Sequence, residues 1–334
     1  MRSRTALLTV AALGLSLLTA CGGRDSASSN TLRIGYIAGS AASLPDMIAK
    51  ERGIFEDAGL NVQFVNTDSG PGLVNLLLSE SVDVTWAPTS NVLAATEKVQ
   101  IVAGTVRSYG FELVRRKGFA DSSTSLSYPD NLQALAEGRV GISATASYAQ
   151  VMAEGMFNEA GVAPGNLDFL SVGVGPTSRG ALKSGQVDLL MANPVTAAEL
   201  QVAGDGDPVI STRDIPALKN LPEAAYVTKR GISKAQEEKV AKYLEAAEEA
   251  ITWAQSESNI EDFDALLTQV YGLSPDDAEA TAERYNPGEG NLIGEYGLSF
   301  DQGGFDELVA ILLKGKLLTE KVSYDEATAL IEPR

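Results

Sequence analysis

One phrase occurs twice in this sequence, and the second copy begins near the middle of the chain. GPGLVNLLLSESVDVTWAPT begins at Gly70, and GPTSRGALKSGQVDLLMANP begins at Gly175. Both open with Gly-Pro, continue as an amphipathic segment and reach Val-Asp at the same distance, at Asp83 and Asp188. The interval between the starts of the two copies is far longer than the ~20–50 residues of a solenoid repeat. The repeat therefore indicates a duplicated lobe rather than a stack of small units.

Predicted strands and helices alternate around both copies of the phrase. Segments rich in branched residues, typical of strands, are TLRIGYI, LNVQFV, VDVTW and VQIVAG in the first half and RVGISA, LDFLSV and VDLLMA in the second. Helical patterns separate these strands, as is typical of parallel α/β folds. Both halves start alike, with Ile34-Gly35 and Val140-Gly141. We therefore expect two Rossmann-like α/β lobes.

The C-terminal part of the chain has a different character. From Ser233 onward the segments are helical, beginning with AQEEKVAKYLEAAEEAITWAQ, and they predict a helical extension that packs on one lobe. Two short strand patterns with basic ends, YGFELVRRK and AAYVTKRG, mark crossings between lobes, and we expect them to pair side by side as a hinge. The predicted division assigns residues 31–108 and 225–334 to lobe 1 and residues 109–224 to lobe 2.

The N-terminal residues have the pattern of an exported lipoprotein. Arg2 and Arg4 precede an apolar run from Ala6 to Leu18, which is the length of a signal-peptide core and too short to span a bilayer. The sequence LTAC then resembles the lipobox of bacterial lipoproteins, which implies cleavage before Cys21 and lipid attachment to its sulfur. The alternative is a buried structural cysteine beside an ordinary cleavage site. We expect a signal peptide over 1–20 and a Gly/Ser-rich tether over 21–30.

Charge and residue usage exclude several functions. The formal net charge is −18, which argues against nucleic acid and against an anionic membrane surface as partners. The chain has no histidine, the commonest general base and metal ligand. Cys21 is the single cysteine, so no intrachain disulfide can form. We expect no catalytic residue, no metal and no cofactor.

Four stretches together resemble a known family. They are AKERGIFEDAGLNVQFV, LLLSESVDVTWAP, GRVGISATAS and ALKSGQVDLLMANP. They resemble the substrate-binding proteins of ABC importers in the sulfonate, taurine, nitrate and thiamine-precursor group (SsuA/THI5-like, NMT1-type), over about Leu32 to Tyr324. The resemblance implies the type II periplasmic-binding-protein fold. It also implies a non-enzymatic, monomeric, extracytoplasmic receptor that delivers a small solute to an ABC permease and is anchored through lipid on Cys21.

The same arrangement predicts where a ligand binds. Ligands of open α/β sheets sit beyond the carboxyl ends of the strands, where helices begin and offer unpaired N–H groups. Two such lobes joined by a hinge enclose a cleft between them. Each copy of the repeated phrase therefore supplies one wall of a ligand site.

Candidate contacts follow from this placement, each beside a structural alternative. Most are polar groups at predicted helix starts, where they can bind a ligand or simply cap the helix. Trp86 is either a stacking surface or part of the core, and Arg107 is either an anion partner or a solvated residue at the crossing. The candidates are Ser40, Ser43, Ser69, Trp86, Thr89, Arg107 and Tyr109 in the first half and Thr145, Ser147, Tyr148, Thr177 and Asn193 in the second.

Competing functions and the ligand stay open at this point. An enzyme of the same fold, a pyrimidine synthase, depends on histidine and a cysteine-rich motif that this chain lacks. A sensor domain acting on a partner protein would share the same cleft. The ligand can be a sulfonate, taurine, nitrate, a pyrimidine precursor or a riboflavin-like compound. The acidic chain disfavours a strong anion, whereas Trp86, Tyr109 and Tyr148 favour a ligand with a ring or an apolar part.

Overall fold

Two five-stranded sheets organise the molecule. The computed structural model describes residues 31–108, 110–286 and 291–333, so Cys21 and Tyr109 lie outside the described residues. The strands of the first sheet are β1 (Thr31–Tyr36), β2 (Asn61–Asn66), β3 (Val84–Pro88), β4 (Val99–Val106) and β10 (Ala224–Lys229). Those of the second are β5 (Glu112–Arg116), β6 (Arg139–Ile142), β7 (Asp168–Ser171), β8 (Leu189–Ala192) and β9 (Gly206–Ser211).

The two sheets share one topology. The first has the order β2-β1-β3-β10-β4 and the second the order β7-β6-β8-β5-β9. In each, three parallel strands are followed by one strand that pairs antiparallel with both of its neighbours, β10 in the first and β5 in the second. Helices flank both sheets. This confirms the predicted two-lobed α/β type II fold, and we call the units of the first and second sheets lobe 1 and lobe 2.

The expected pairing of the two crossing segments is wrong. The strand in YGFELVRRK is β5, which lies between β8 and β9 of lobe 2, and the strand in AAYVTKRG is β10, which lies between β3 and β4 of lobe 1. Each strand already has a hydrogen-bonded neighbour on both edges, so neither is available to the other. The crossings instead meet just before β10, where the backbone N–H of Glu223 donates to the carbonyl of Arg107 over 2.9 Å.

Helices connect and cover the strands. In the first part of the chain they are α1 (Leu44–Glu51), α2 (Ile54–Asp57), α3 (Gly70–Leu78), α4 (Thr89–Leu93), α5 (Asp130–Leu135), α6 (Tyr148–Glu159), α7 (Pro176–Lys183) and α8 (Pro194–Val202). After β10 they are α9 (Lys234–Ala254), α10 (Ile260–Tyr271), α11 (Pro275–Tyr285), α12 (Gln302–Lys314) and α13 (Tyr324–Ala327). None of the helices in these ranges is both long and apolar enough to cross a bilayer.

The repeated Val-Asp has a structural role at the amino ends of the strands. In lobe 1 the Asp83 carboxylate accepts hydrogen bonds from the backbone N–H of Arg33 (2.8 Å) and from its guanidinium (2.6 Å). The guanidinium also donates to the Glu80 carbonyl. This clamp joins the start of β3 to β1 on the side of the sheet away from the helix starts.

Lobe 2 repeats the clamp with equivalent residues. Asp188 accepts from the backbone and the guanidinium of Arg139 and also from Arg116, while Arg139 donates to the Gly185 carbonyl. Glu80 and Gly185 both have positive φ, 57° and 75°. The repeated phrase therefore encodes a tight turn and an arginine–aspartate clamp in each lobe, in addition to a helix start.

A buried carboxyl group lies where the C-terminal extension meets lobe 1. Asp46 on α1 is fully buried and accepts a hydrogen bond of 2.6 Å from the Tyr243 hydroxyl on α9. The Tyr226 hydroxyl on β10 lies 3.5 Å from the same oxygen. Burial raises the pKa of Asp46 to about 7, and the two tyrosine hydrogen bonds oppose this rise. Asp46 is thus an ionisable group inside the apolar contact between α1, β10 and α9.

Candidate functional site

A cavity lies between the two lobes, at the carboxyl ends of the parallel strands. We call it the cleft, and its position between two α/β lobes is typical of a small-molecule site. The residues that line it come from the ends of β1, β2, β3, β6, β7 and β8, from the helix starts that follow and from the two crossings. They are Ile37, Ser40, Asp68, Ser69, Gly70, Trp86, Pro88, Phe111, Ser143, Ser147, Tyr148, Ala149, Gly173, Val174, Gly175, Ser178, Met191, Ala192, Asn193, Thr196 and Glu223.

Half of the candidate contacts lie in this lining. They are Ser40, Ser69 and Trp86 from lobe 1 and Ser147, Tyr148 and Asn193 from lobe 2. The structure brings both lobes to one cavity at the helix starts, where the sequence placed them.

Trp86 forms a wall of the cleft and part of the core at once. Its side chain is 3% exposed, and its indole N–H donates to the Ser43 hydroxyl over 2.9 Å. That hydroxyl also donates to the Ile37 carbonyl. Ser43 is buried behind the tryptophan and does not line the cleft. Ser43 therefore orients Trp86, which also lines the cavity.

Three threonine candidates lie outside the lining. Thr89 is fully buried at the start of α4, and its hydroxyl has no hydrogen-bond partner in the described part of the chain. The Thr145 hydroxyl is exposed and lies 3.3 Å from that of Ser171. The Thr177 hydroxyl donates to the Val174 carbonyl and stays within its own helix start.

Arg107 turns away from the cleft. Its guanidinium lies 3.6 Å from the Glu295 carboxylate, and its side chain is 55% exposed. Arg213, in the connection from β9 to β10, lies 3.4 Å from the same carboxylate. The arginine of the first crossing thus belongs to a surface ion pair beside the crossings.

Two of the helix starts in the cleft are capped by the chain itself. The Ser147 hydroxyl accepts from the backbone N–H of Gln150 at the start of α6, and the Asn193 side-chain oxygen accepts from Thr196 at the start of α8. Ser69, the cap of α3, makes no such side-chain bond to a described residue, and the cap of α7 is Gly175, which has no side chain. A ligand in the cleft can therefore reach backbone donors at the starts of α3 and α7.

Hydrogen bonds also cross the cleft between the lobes. The amide of Asn91 on α4 donates to the Ala146 carbonyl in lobe 2 over 2.8 Å. The amide of Asn193 in lobe 2 donates to the Gly39 carbonyl in lobe 1 over 3.4 Å. In each case the helix after the third parallel strand of one lobe reaches the loop after the first parallel strand of the other. These bonds hold the lobes together at the mouth of the cavity.

Sequence reasoning missed the carboxylate in the cleft. Glu223 is 5% exposed and lies just before β10, where its backbone bonds to Arg107 and Thr89 fix it. Burial raises the pKa of the Tyr148 hydroxyl well above its usual value, and the nearby charge of Glu223 raises it further. Phe111, also missed, lies on the first crossing with its ring 6.1 Å from that of Tyr148. Neither residue belongs to a motif, because backbone hydrogen bonds to residues remote in the sequence position both of them.

The family of the chain follows from a match to the NMT1-like family over residues 25–268, well over half of its length. The chain belongs to the NMT1-like family. The match includes both copies of the repeated phrase and all the residues that line the cleft.

Solved structures that resemble this NMT1-like chain share its fold. The alkanesulfonate-binding protein SsuA from Xanthomonas axonopodis pv. citri, bound to MOPS, is 18% identical with a TM-score of 0.73, over 90% of this chain and 98% of that one. The periplasmic nitrate-binding protein NrtA from Synechocystis PCC 6803 is 16% identical with a TM-score of 0.70, over 89% and 84%. A Candida albicans protein with the generic periplasmic-binding-protein fold is 15% identical with a TM-score of 0.69, over 91% and 97%. No curated protein matches the chain.

Proposed function

We propose that this NMT1-like chain is the extracytoplasmic solute-binding lipoprotein of an ABC importer. It captures a small organic solute in the cleft and delivers it to the permease, while lipid on Cys21 anchors it to the membrane. In this proposal the monomer works as two jaws, residues 31–108 with 225–334 and residues 109–224. The jaws close around the two crossings.

The observation that carries the proposal is the cleft itself. Equivalent strand ends and helix starts of two lobes face one cavity, and Asn91 and Asn193 bridge its mouth. Such a cavity opens and closes when one lobe rotates against the other, as a carrier of solutes requires. The similar folds of the SsuA and NrtA proteins, whose names record alkanesulfonate and nitrate binding, support the same role.

Binding without turnover is the second part of the proposal. The sequence contains no histidine, and no serine in the cleft lining is bonded to a general base among the described residues. The hydroxyl of Ser147 caps α6, and that of Ser178 donates to the Gly175 carbonyl. These two hydroxyls bond to the backbone, and none of the described residues is a partner that would activate them as nucleophiles.

Native mass spectrometry of the chain purified from its source tests the proposal. We expect a non-covalent adduct with the mass of one small solute, released unchanged on unfolding. Incubation of the ligand-free chain with the recovered solute should restore the adduct without changing the mass of the solute. A chain that carries no solute from its source, or one that returns an altered solute, would contradict this function.

A further inference from the structure

Among the described residues, the side chains that line the cleft carry negative charge and no positive charge. Asp68 and Glu223 are the acidic members of the lining, and none of its described members is lysine or arginine. Asp68 is exposed at the rim, whereas Glu223 is buried. Sites for carboxylate, phosphate or sulfonate groups usually contain arginine or lysine, because the guanidinium and ammonium groups match these anions in charge and geometry. The described lining of the cleft offers no arginine or lysine to pair with such an anion.

The arginines nearest to the cleft in the sequence are bound to other carboxylates. Arg107 and Arg213 share Glu295 beside the crossings. Arg179, which follows the cleft residue Ser178 on α7, pairs with Glu199 on α8 over 2.9 Å. These ion pairs place the three guanidinium groups on carboxylates that do not line the cleft.

The walls of the cleft suit a cation that has an apolar part. Trp86, Phe111 and Tyr148 contribute aromatic surface, and the faces of such rings attract cations. The helix starts oppose this preference only at α3 and α7, because an uncapped helix start favours an anion. The starts of α6 and α8 are already capped by Ser147 and Asn193, and those of α3 and α7 offer donors that an uncharged acceptor atom can use.

We propose that the cleft selects a small organic cation with an apolar or aromatic body, bound with its charged group toward Glu223, and that it disfavours sulfonate and nitrate. This inference rests on the proposed solute-binding function and names the class of solute. The proposed ligand of this chain differs in charge from the ligands named for the alkanesulfonate- and nitrate-binding proteins that share its fold.

Three probes with the same ring and different charge test the inference. Benzylammonium, benzyl alcohol and phenylmethanesulfonate are titrated by calorimetry into the full chain after unfolding and refolding have removed any carried solute. We expect benzylammonium to bind about tenfold or more tightly than phenylmethanesulfonate, the range that a buried charged hydrogen bond provides. Benzyl alcohol should lie between them.

Substitutions of the acidic lining residues test whether the cleft is responsible for the preference for a cation. Glu223→Gln should weaken benzylammonium binding by about tenfold and benzyl alcohol binding much less, because the amide oxygen can still accept a hydrogen bond but cannot pair with a charge. Asp68→Asn should have a smaller effect in the same direction, since the exposed carboxylate is screened by water. Glu56→Gln removes an exposed charge from α2, remote from the lining, and serves as the matched control.

The outcomes separate this inference from the proposed function. If phenylmethanesulfonate binds as tightly as benzylammonium or more so, the inference is overturned while the receptor function stands. If no probe binds but the chain carries a solute from its source, a cationic solute supports the inference and an anionic solute overturns it. If no probe binds and no solute is carried, both fail.

Discussion

The side-chain amide of Asn91 donates a 2.8 Å hydrogen bond to the backbone carbonyl of Ala146, and so joins the start of α4 in lobe 1 to the loop before α6 in lobe 2. Asn193 makes the reciprocal bond to Gly39. Both bonds form only when the lobes approach, so they contribute to the closed form and nothing to an open one. The amides are thus expected to set how far the lobes close.

Asn91→Ala should shift the lobes toward an open arrangement. The loss of one neutral hydrogen bond costs the closed form about 0.5–1.5 kcal/mol. Small-angle scattering of the ligand-free chain should show a larger radius of gyration for the variant. Asn75→Ala, at an exposed position on α3, is the control and should match wild type. Equal radii for Asn91→Ala and wild type would show that the bond does not govern closure.

Trp86→Ala should destabilise the fold as well as weaken binding. The side chain is 3% exposed and anchored by Ser43, and truncation of a buried tryptophan costs about 3–5 kcal/mol. Thermal unfolding should therefore show a much lower Tm. Thr145→Ala, at an exposed hydroxyl outside the lining, should leave Tm near wild type. A wild-type Tm for Trp86→Ala would mean that the ring contributes little packing.

Asp46 should make stability fall as pH rises. Its pKa is about 7 in the fold, against 3.8 as the usual value, so between these pH values the native chain holds a proton that the unfolded chain releases. The free energy of unfolding therefore falls as pH rises from about 4 to 7, and above pH 7 this group changes it no further. The total decrease is on the order of 4 kcal/mol.

Asp46→Asn removes the titrating carboxyl group, so a comparison of wild type with this variant measures the effect of that group on stability. The free energy of unfolding, obtained from urea denaturation at pH 5 and at pH 8, should fall more between the two for wild type than for the variant. The Asn oxygen can still accept the Tyr243 hydrogen bond, which makes the comparison close. Parallel pH profiles for the two proteins would show that Asp46 has the same pKa in the folded and unfolded chains.

The turn of the repeated phrase should need glycine in lobe 2. Gly185 has φ of 75°, and a left-handed conformation costs a residue with a Cβ about 1–2 kcal/mol. Gly185→Ala should destabilise the chain by that amount in urea denaturation. Gly180→Ala, in open space on α7, should stabilise it by about 0.5–1 kcal/mol. If both variants changed stability in the same direction, the assignment of a glycine-dependent turn to Gly185 would be refuted.

Cys21→Ala should abolish membrane anchoring without changing the fold. The prediction depends on the lipobox and on the absence of any other cysteine in the sequence. In cell fractionation the variant should leave the membrane fraction and incorporate no labelled lipid, while its Tm stays that of wild type. Ser26→Ala in the same tether is the control and should remain in the membrane. Lipid incorporation by Cys21→Ala would contradict the proposal.

The fold was predictable from sequence because its signals are local and occur twice. Branched segments ended by helix starts indicated the strands, and the repeated Gly-Pro and Val-Asp indicated two lobes. The partners of the crossing strands were not predictable, since β5 and β10 have similar short patterns and strand pairing depends on distant residues. Their basic ends gave no information about which sheet would accept them.

The candidate site was predictable only in part, for a related reason. A sequence places a hydroxyl at a helix start but does not say which way it points, so Ser40 lines the cleft while Ser43 supports Trp86 from behind. Glu223 gave no signal at all. Its position depends on backbone bonds to Arg107 and Thr89, which are remote in the sequence.

The place of β10 inside the first sheet also sets an order of events during synthesis. Sheet 1 lacks the strand between β3 and β4 until residues 224–229 have left the ribosome, whereas sheet 2 is built entirely from residues 112–211. Domains usually fold in the order in which they emerge. Here lobe 2 can complete its sheet first, although it begins later in the chain. A nascent chain stalled when residue 211 has left the ribosome and residues 224–229 have not should therefore protect lobe 2 from protease and leave lobe 1 open to cleavage.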